Sequence, residues 1–134
     1  MKQRNLLILI LFAFMFTGVY AQGKRVTVKI TDLEKVTTTV QNATSSSSSS
    51  CGTSDFPVYQ GSEEKDVDIA DLTWISVRHD LTPSDPSYIK LELTLKDGTT
   101  GIYEMVRYIR FTGKTEDGNF GIMVKDINTI EIVK

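Results

Sequence analysis

Residues 89–98 read Ile89-Lys90-Leu91-Glu92-Leu93-Thr94-Leu95-Lys96-Asp97-Gly98. Aliphatic residues alternate here with Lys, Glu and Thr. Successive side chains of an extended chain point to opposite faces, so this period-two pattern describes a strand with one apolar and one wet face. Asp97-Gly98 then signals a hairpin, because Gly accepts a positive φ and Asp bonds to nearby main chain. The same pattern continues outward. Val26, Val28 and Ile30 alternate with Thr27, Lys29 and Thr31, Thr and Val fill 36–40, and Asp117-Gly118 is a second hairpin signal. Beyond the first twenty-one residues no segment keeps the 3.6-residue period of an amphipathic helix. Strands are expected at 25–31, 35–41, 56–60, 66–70, 73–79, 88–96, 101–106, 107–112, 120–125 and 128–133. The two that flank Val106 are read as either separate or fused into one bent strand. The fold class is therefore all-β: a small antiparallel barrel or sandwich of 8–10 short strands.

Two stretches interrupt the pattern. Residues 42–54 carry six consecutive serines, Ser45 to Ser50, followed by Cys51-Gly52. They have almost nothing to bury and are expected to form a polar loop. Within them Asn42-Ala43-Thr44 fits the glycosylation acceptor pattern. Residues 80–87, with Pro83 and Pro86, read as a turn-rich connector. The halves on either side, about 24–79 and 88–134, share spaced markers. Val26, Val28, Ile30 and Asp32 match Leu91, Leu93, Leu95 and Asp97 at a separation of 65. Ile69, Asp71, Leu72, Ile75 and Val77 match Val124, Asp126, Ile127, Ile130 and Ile132 at a separation of 55. An internal repeat is expected, with about ten extra residues in the first half.

The N-terminus reads as an export signal. Lys2 and Arg4 form a basic n-region, and Leu6 to Phe16 is an apolar run of eleven residues. Val19-Tyr20-Ala21 follows, so cleavage is expected between Ala21 and Gln22. The run falls short of the roughly twenty residues needed to cross a bilayer. Gln22 stands where a lipoprotein needs Cys, so the product is expected to be secreted or periplasmic and not lipid-anchored. Tyr20-Ala21-Gln22-Gly23 resembles the signal-peptide end of exported proteins of Bacteroidota-type bacteria.

Cleavage leaves 113 residues, 22–134, enough for one small domain, and takes the formal charge from −2 to −4. That balance offers no electrostatic grip on nucleic acid. No membrane span follows the signal. Cys51 is the single cysteine. It excludes an internal disulfide, and a dimer linked through it is the lesser expectation beside a free thiol.

The residues for common chemistries are few. His79 is the single histidine, and a Ser or Cys nucleophile needs a base. Asp80 is its neighbour, but adjacent residues of a strand face opposite ways. One His and one Cys do not make a zinc set. Glu63, Glu64, Asp66, Asp68 and Asp71 are acidic enough to raise calcium, with Asp66, Asp68 and Asp71 as the candidate ligands, yet the Asp-x-Asp-x-Asp-Gly loop is missing. A solvated acidic edge is the preferred reading. No phosphate-binding or dinucleotide loop is present, and no cofactor is expected. Trp74, Tyr59, Tyr88, Tyr103 and Tyr108 are the candidate ligand-binding residues, should several share an exposed face.

Residues 91–133 resemble small SH3-like or Sm-like barrel modules in Asp97-Gly98, a bend at Gly113, and the closing Asp126-Ile127 and Ile130. That resemblance implies a fold and no activity. The function expected is a non-catalytic binding or scaffold module with a protein or glycan partner. The alternatives are a small hydrolase using carboxylates, or an inhibitor or adaptor that inserts the Ser-rich loop.

Overall fold

The computed structural model describes residues 26–46 and 55–133. The expected export signal and cleavage site, Cys51 and most of the serine run lie outside the described residues.

Ten strands and two single 3-10 turns make up the fold of the described residues. In chain order they are β1 Thr27–Asp32, β2 Thr37–Ser46, β3 Asp55–Gln60, β4 Glu63–Asp68, a 3-10 turn Ile69–Asp71 and β5 Leu72–Val77. Then come β6 Tyr88–Leu95, β7 Thr100–Val106, β8 Arg110–Thr115, β9 Gly118–Met123, a 3-10 turn Val124–Asp126 and β10 Ile127–Val133. All join one antiparallel sheet in the order β4-β3-β7-β6-β5-β10-β1-β2-β8-β9, curled into a half-barrel. The all-β class and the strand number agree with the alternating sequence. A two-sheet sandwich is not formed.

The order has a property that follows from the register. Exchange each strand for the one five places away in the chain, and the order reads backwards. Ile75 of β5 pairs with Ile130 of β10, and these residues are 55 apart. Phe56 of β3 and Phe111 of β8, also 55 apart, meet edge to face at 5.7 Å. An approximate twofold axis therefore passes through these two contacts. Neither run of five strands is self-contained. β2 lies against β8 and β7 against β3, so each half lends a hairpin, β3–β4 or β8–β9, to the other.

Pairing corrects the separation of 65 inferred for the leading strands. Ile30 faces Ile130, while Leu93 faces Ile75. The positions that correspond are thus Ile30 and Leu93, 63 apart. Lys35 and Gly98, both with positive φ in the hairpin turns, keep the same separation. A two-residue slip leaves every side chain on its own face, so hydrophobic alternation alone cannot detect it. The first half is longer by eight residues, not ten.

The start of the Ser-rich loop is also corrected. Residues 42–46, expected as loop, continue β2. Asn42, at φ 54, forms a bulge that shifts the register between Gln41 and Thr44. Thr44, Ser45 and Ser46 then pair with β8. Ser45 is buried and donates its hydroxyl to the Asp55 carbonyl at 2.7 Å. Around Val106 the two strands are separate. A turn at 107–109 closes with the Ile109 N–H on the Val106 carbonyl, and β8 begins three residues later than expected.

One apolar cluster lies in the concavity of the curl. It takes Val28, Ile30 and Val40 from β1 and β2, Phe56 and Val58 from β3, Leu91 and Leu93 from β6, and Phe111 and Ile130 from β8 and β10. Ile69 and Val124, which open the two 3-10 turns, are buried in it too. Asp68 caps the first turn by accepting the Ala70 N–H at 3.0 Å.

Candidate functional site

Register decides which candidate side chains share a face. On the convex face of β5, β6, β7 and β3 lie Trp74, Tyr88, Glu92, Thr94, Ile102, Glu104 and Tyr59, all out of phase with the core residues of their strands. Tyr59 pairs with Glu104, and Tyr88 stands two residues along from Lys90, the other neighbour of Glu104. The Tyr59 and Tyr88 rings are 5.4 Å apart and tilted by 50°. Burial, then Glu64, Tyr88 and Asp66, push the Tyr59 hydroxyl above its ordinary titration range.

The other three aromatics do not join this pair. Trp74, 39% exposed, lies between Glu131 and Thr94. Six residues of β6 separate Thr94 from Tyr88, about 20 Å along a strand. Tyr103 faces inward, packs on the core and covers Gly101. Tyr108 is exposed in the turn after β7, beneath the Arg107 guanidinium at 5.7 Å.

The connector expected at 80–87 borders the tyrosine pair. Ser84 donates its N–H and its hydroxyl to the Glu104 carboxylate, both at 2.8 Å. A cavity of about 160 Å³ opens between the connector and the sheet, lined by Arg78, His79, Leu81, Pro83, Tyr88, Ile89 and Arg107. Arg107 donates from one terminal nitrogen to the Pro86 carbonyl at 3.3 Å. Its Nε is buried and has no hydrogen-bond partner among the described residues. An unsatisfied buried donor costs about 1–3 kcal/mol. Arg107 and Glu104 were not singled out from the sequence. Their signal is long-range pairing, and no local motif carries it.

His79 and Asp80 each have other hydrogen-bond partners. His79 Nε2 lies 2.8 Å from the Ile127 carbonyl. Asp80 is held by Arg78, which donates from Nε at 2.9 Å and from a terminal nitrogen at 2.8 Å. The remaining terminal nitrogen of Arg78 reaches Glu92 at 3.0 Å. The Arg78 hydrogen bonds hold the Asp80 carboxyl below the usual carboxylate range. A depressed folded-state value contributes stability above the unfolded value, and that contribution is lost as pH falls through the folded value. Arg78→Ala should therefore raise the Asp80 midpoint toward that of an ordinary aspartate. NMR titration of the Asp80 carboxyl carbon reads this directly, and an unmoved midpoint would contradict the fork as its cause.

Glu64, Asp66 and Asp68 line one face of β4, opposite Tyr59, Pro57 and Asp55. Asp68 serves as a cap, and Asp71 is the last residue of the 3-10 turn. Among the described residues no three His, Cys, Asp or Glu side chains converge to hold a metal ion. No helix among them is long and apolar enough to cross a membrane.

A family model described as "Uncharacterised protein" matches residues 22–134. None of the curated proteins matches the chain.

Proposed function

Since the chain belongs to this family of uncharacterised proteins, we propose from its own geometry that it is an exported, non-catalytic binding or scaffold module. It grips a protein or glycan partner through Tyr59, Tyr88 and Arg107. The observation that carries the reading is the tyrosine pair set beside a cavity that Tyr88 and Arg107 line. Aromatic faces offer large contact area with little entropy to lose, and both sugars and peptide side chains stack on them. Enclosed small-molecule sites run to about 300–1,000 Å³. A cavity of about 160 Å³ suits one protruding group of a larger partner.

The hydrolase alternative needs two carboxylates in a cleft, one with a raised titration point. The wall of the cavity beside the tyrosines holds none, and Glu116 and Asp117 line a separate pocket of about 410 Å³. The displaced carboxylates Asp80, Asp85 and Asp97 all move downward, through hydrogen bonds to Arg78, Ser87 and Thr99. These facts favour binding. Export rests on the n-region, the h-region and the Ala21-Gln22 boundary, and the mass of the mature chain tests it. We further propose that the halves arose by duplication, on the strength of the mirrored strand order.

The test is a photo-crosslinking residue at Tyr59, with Asp117 on the far hairpin as control. A partner captured from Tyr59 and not from Asp117 is expected. Tyr88→Ala should weaken its binding about tenfold, or about 1.4 kcal/mol. Identical capture from both positions would overturn the proposal.

A further inference from the structure

The sheet ends in two edge strands, β4 and β9. The twofold relation makes them counterparts, and their sequences are opposite in kind. β4 reads Glu63-Glu64-Lys65-Asp66-Val67-Asp68, and β9 reads Gly118-Asn119-Phe120-Gly121-Ile122-Met123. Charges and prolines on an edge strand deter unwanted pairing. β4 has five charged residues in six; β9 has no charge and no proline.

The surroundings of each edge are complementary. On the convex face β4 presents Glu64, Asp66 and Asp68, since Phe56 of β3 and its partner Val67 point inward. On the same face of β8, immediately beside β9, stand Arg110, Thr112 and Lys114, opposite Met123, Gly121 and Asn119. They line an open groove of about 490 Å³ together with Asn42 and Gly121. Gly121 has no side chain, and the Arg110 guanidinium lies across it toward the edge.

We propose that β9 of one molecule accepts β4 of a second copy, so that the sheet continues from molecule to molecule, head to tail. The inference is independent of the tyrosine site. Strand parity supports it. Ten alternating strands leave β4 and β9 running in opposite directions, so a β4 placed next to β9 in the same orientation continues the antiparallel alternation. Charge supports it as well. A register with Asp66 of the second copy opposite Gly121 sets it between Lys114 and Arg110, within reach of long side chains over one strand spacing. Pairing β4 with β4 would instead set acidic strands side by side. Pairing β9 with β9 would bring both cationic flanks together. The contact is heterologous, and it generates a ring or an open filament.

Sedimentation of the mature chain, residues 22–134, over a range of concentrations tests this. At about 20 mM salt the mean mass should climb with concentration through a ladder of species. At about 500 mM salt, where screening acts over a few ångströms, association should weaken by about tenfold or more. Asp66→Lys and Lys114→Glu should each give monomers, and mixing the two variants should restore assembly, because each then meets an opposite charge. Both positions are exposed, and far-UV circular dichroism confirms that the variants fold. A wild-type monomer at all concentrations would overturn the proposal. So would a salt-insensitive dimer, which marks β9–β9 pairing, or a mixture of the variants that stays monomeric.

Discussion

Phe111→Ala should lower the free energy of unfolding by about 3–5 kcal/mol, the range for deleting a buried phenylalanine. For a domain of this size that is a fall in Tm on the order of 15 °C. The Phe111 ring is 2% exposed and meets the fully buried Phe56 edge to face, at 75°. The two rings come from the exchanged hairpins, so they join the parts of the sheet that are farthest from covalent connection. Alanine leaves a cavity on the twofold axis that neither hairpin can close without pulling away from its host strand. Phe56→Ala should cost a similar amount. The double variant should cost less than the sum, because each single change already removes the ring pair, worth about 0.5–1.5 kcal/mol beyond area. Urea unfolding of the three variants measures this. A loss below about 1 kcal/mol for either single change would mean that the pair does not fasten the hairpins.

Gly113→Val should be of comparable severity for a different reason. A Cβ at position 113 would strike Val40 Cγ1 and lie 2.7 Å from the Gln41 carbonyl oxygen. One obstacle is main chain, in the segment of β2 that enters the Asn42 bulge, and it cannot swing aside like a side-chain end. β8 has to separate from β2, and overpacking of this kind costs about 1–3 kcal/mol or more. The damage should be local. Amide exchange should lose protection in β8, β9 and the end of β2, while β5 and β10 at the centre of the sheet keep theirs. Gly121→Ala is the control. The three atoms nearest its added Cβ all belong to the Arg110 guanidinium, a flexible end that can shift. Equal damage at both positions would show that β2–β8 contact is not the cause.

Period-two alternation made the strands legible, because burial on one face leaves its mark on every second residue. It made β6 plain from Ile89 to Leu95 and β1 plain from Val26 to Ile30. It failed where burial uses small polar residues. Ser45 fits under β8 by being small and by bonding to the Asp55 carbonyl, so a run of serines concealed the last turn of the β2 ladder. It failed again on the separation between corresponding strands, since 63 and 65 place the same faces inward. For the site, residue type pointed to the tyrosines, but only pairing through β7 brings Tyr59 and Tyr88 together from 29 positions apart. The same pairing sends Tyr103 inward and leaves Trp74 distant. The Arg107 environment needs the connector folded against the sheet, and no local pattern encodes that.

Ribosomes deliver the N-terminal end first, and here order of delivery and order of pairing conflict. β1 and β2 emerge early, but their outer neighbours β10 and β8 belong to the last quarter of the chain. No early subset of strands can complete a closed core, and such sequence-distant pairing also slows folding. A nascent chain of this topology therefore completes its sheet only when almost all of it exists. For a chain exported as we propose, that delay would leave the sheet open during passage, to be completed once β10 arrives.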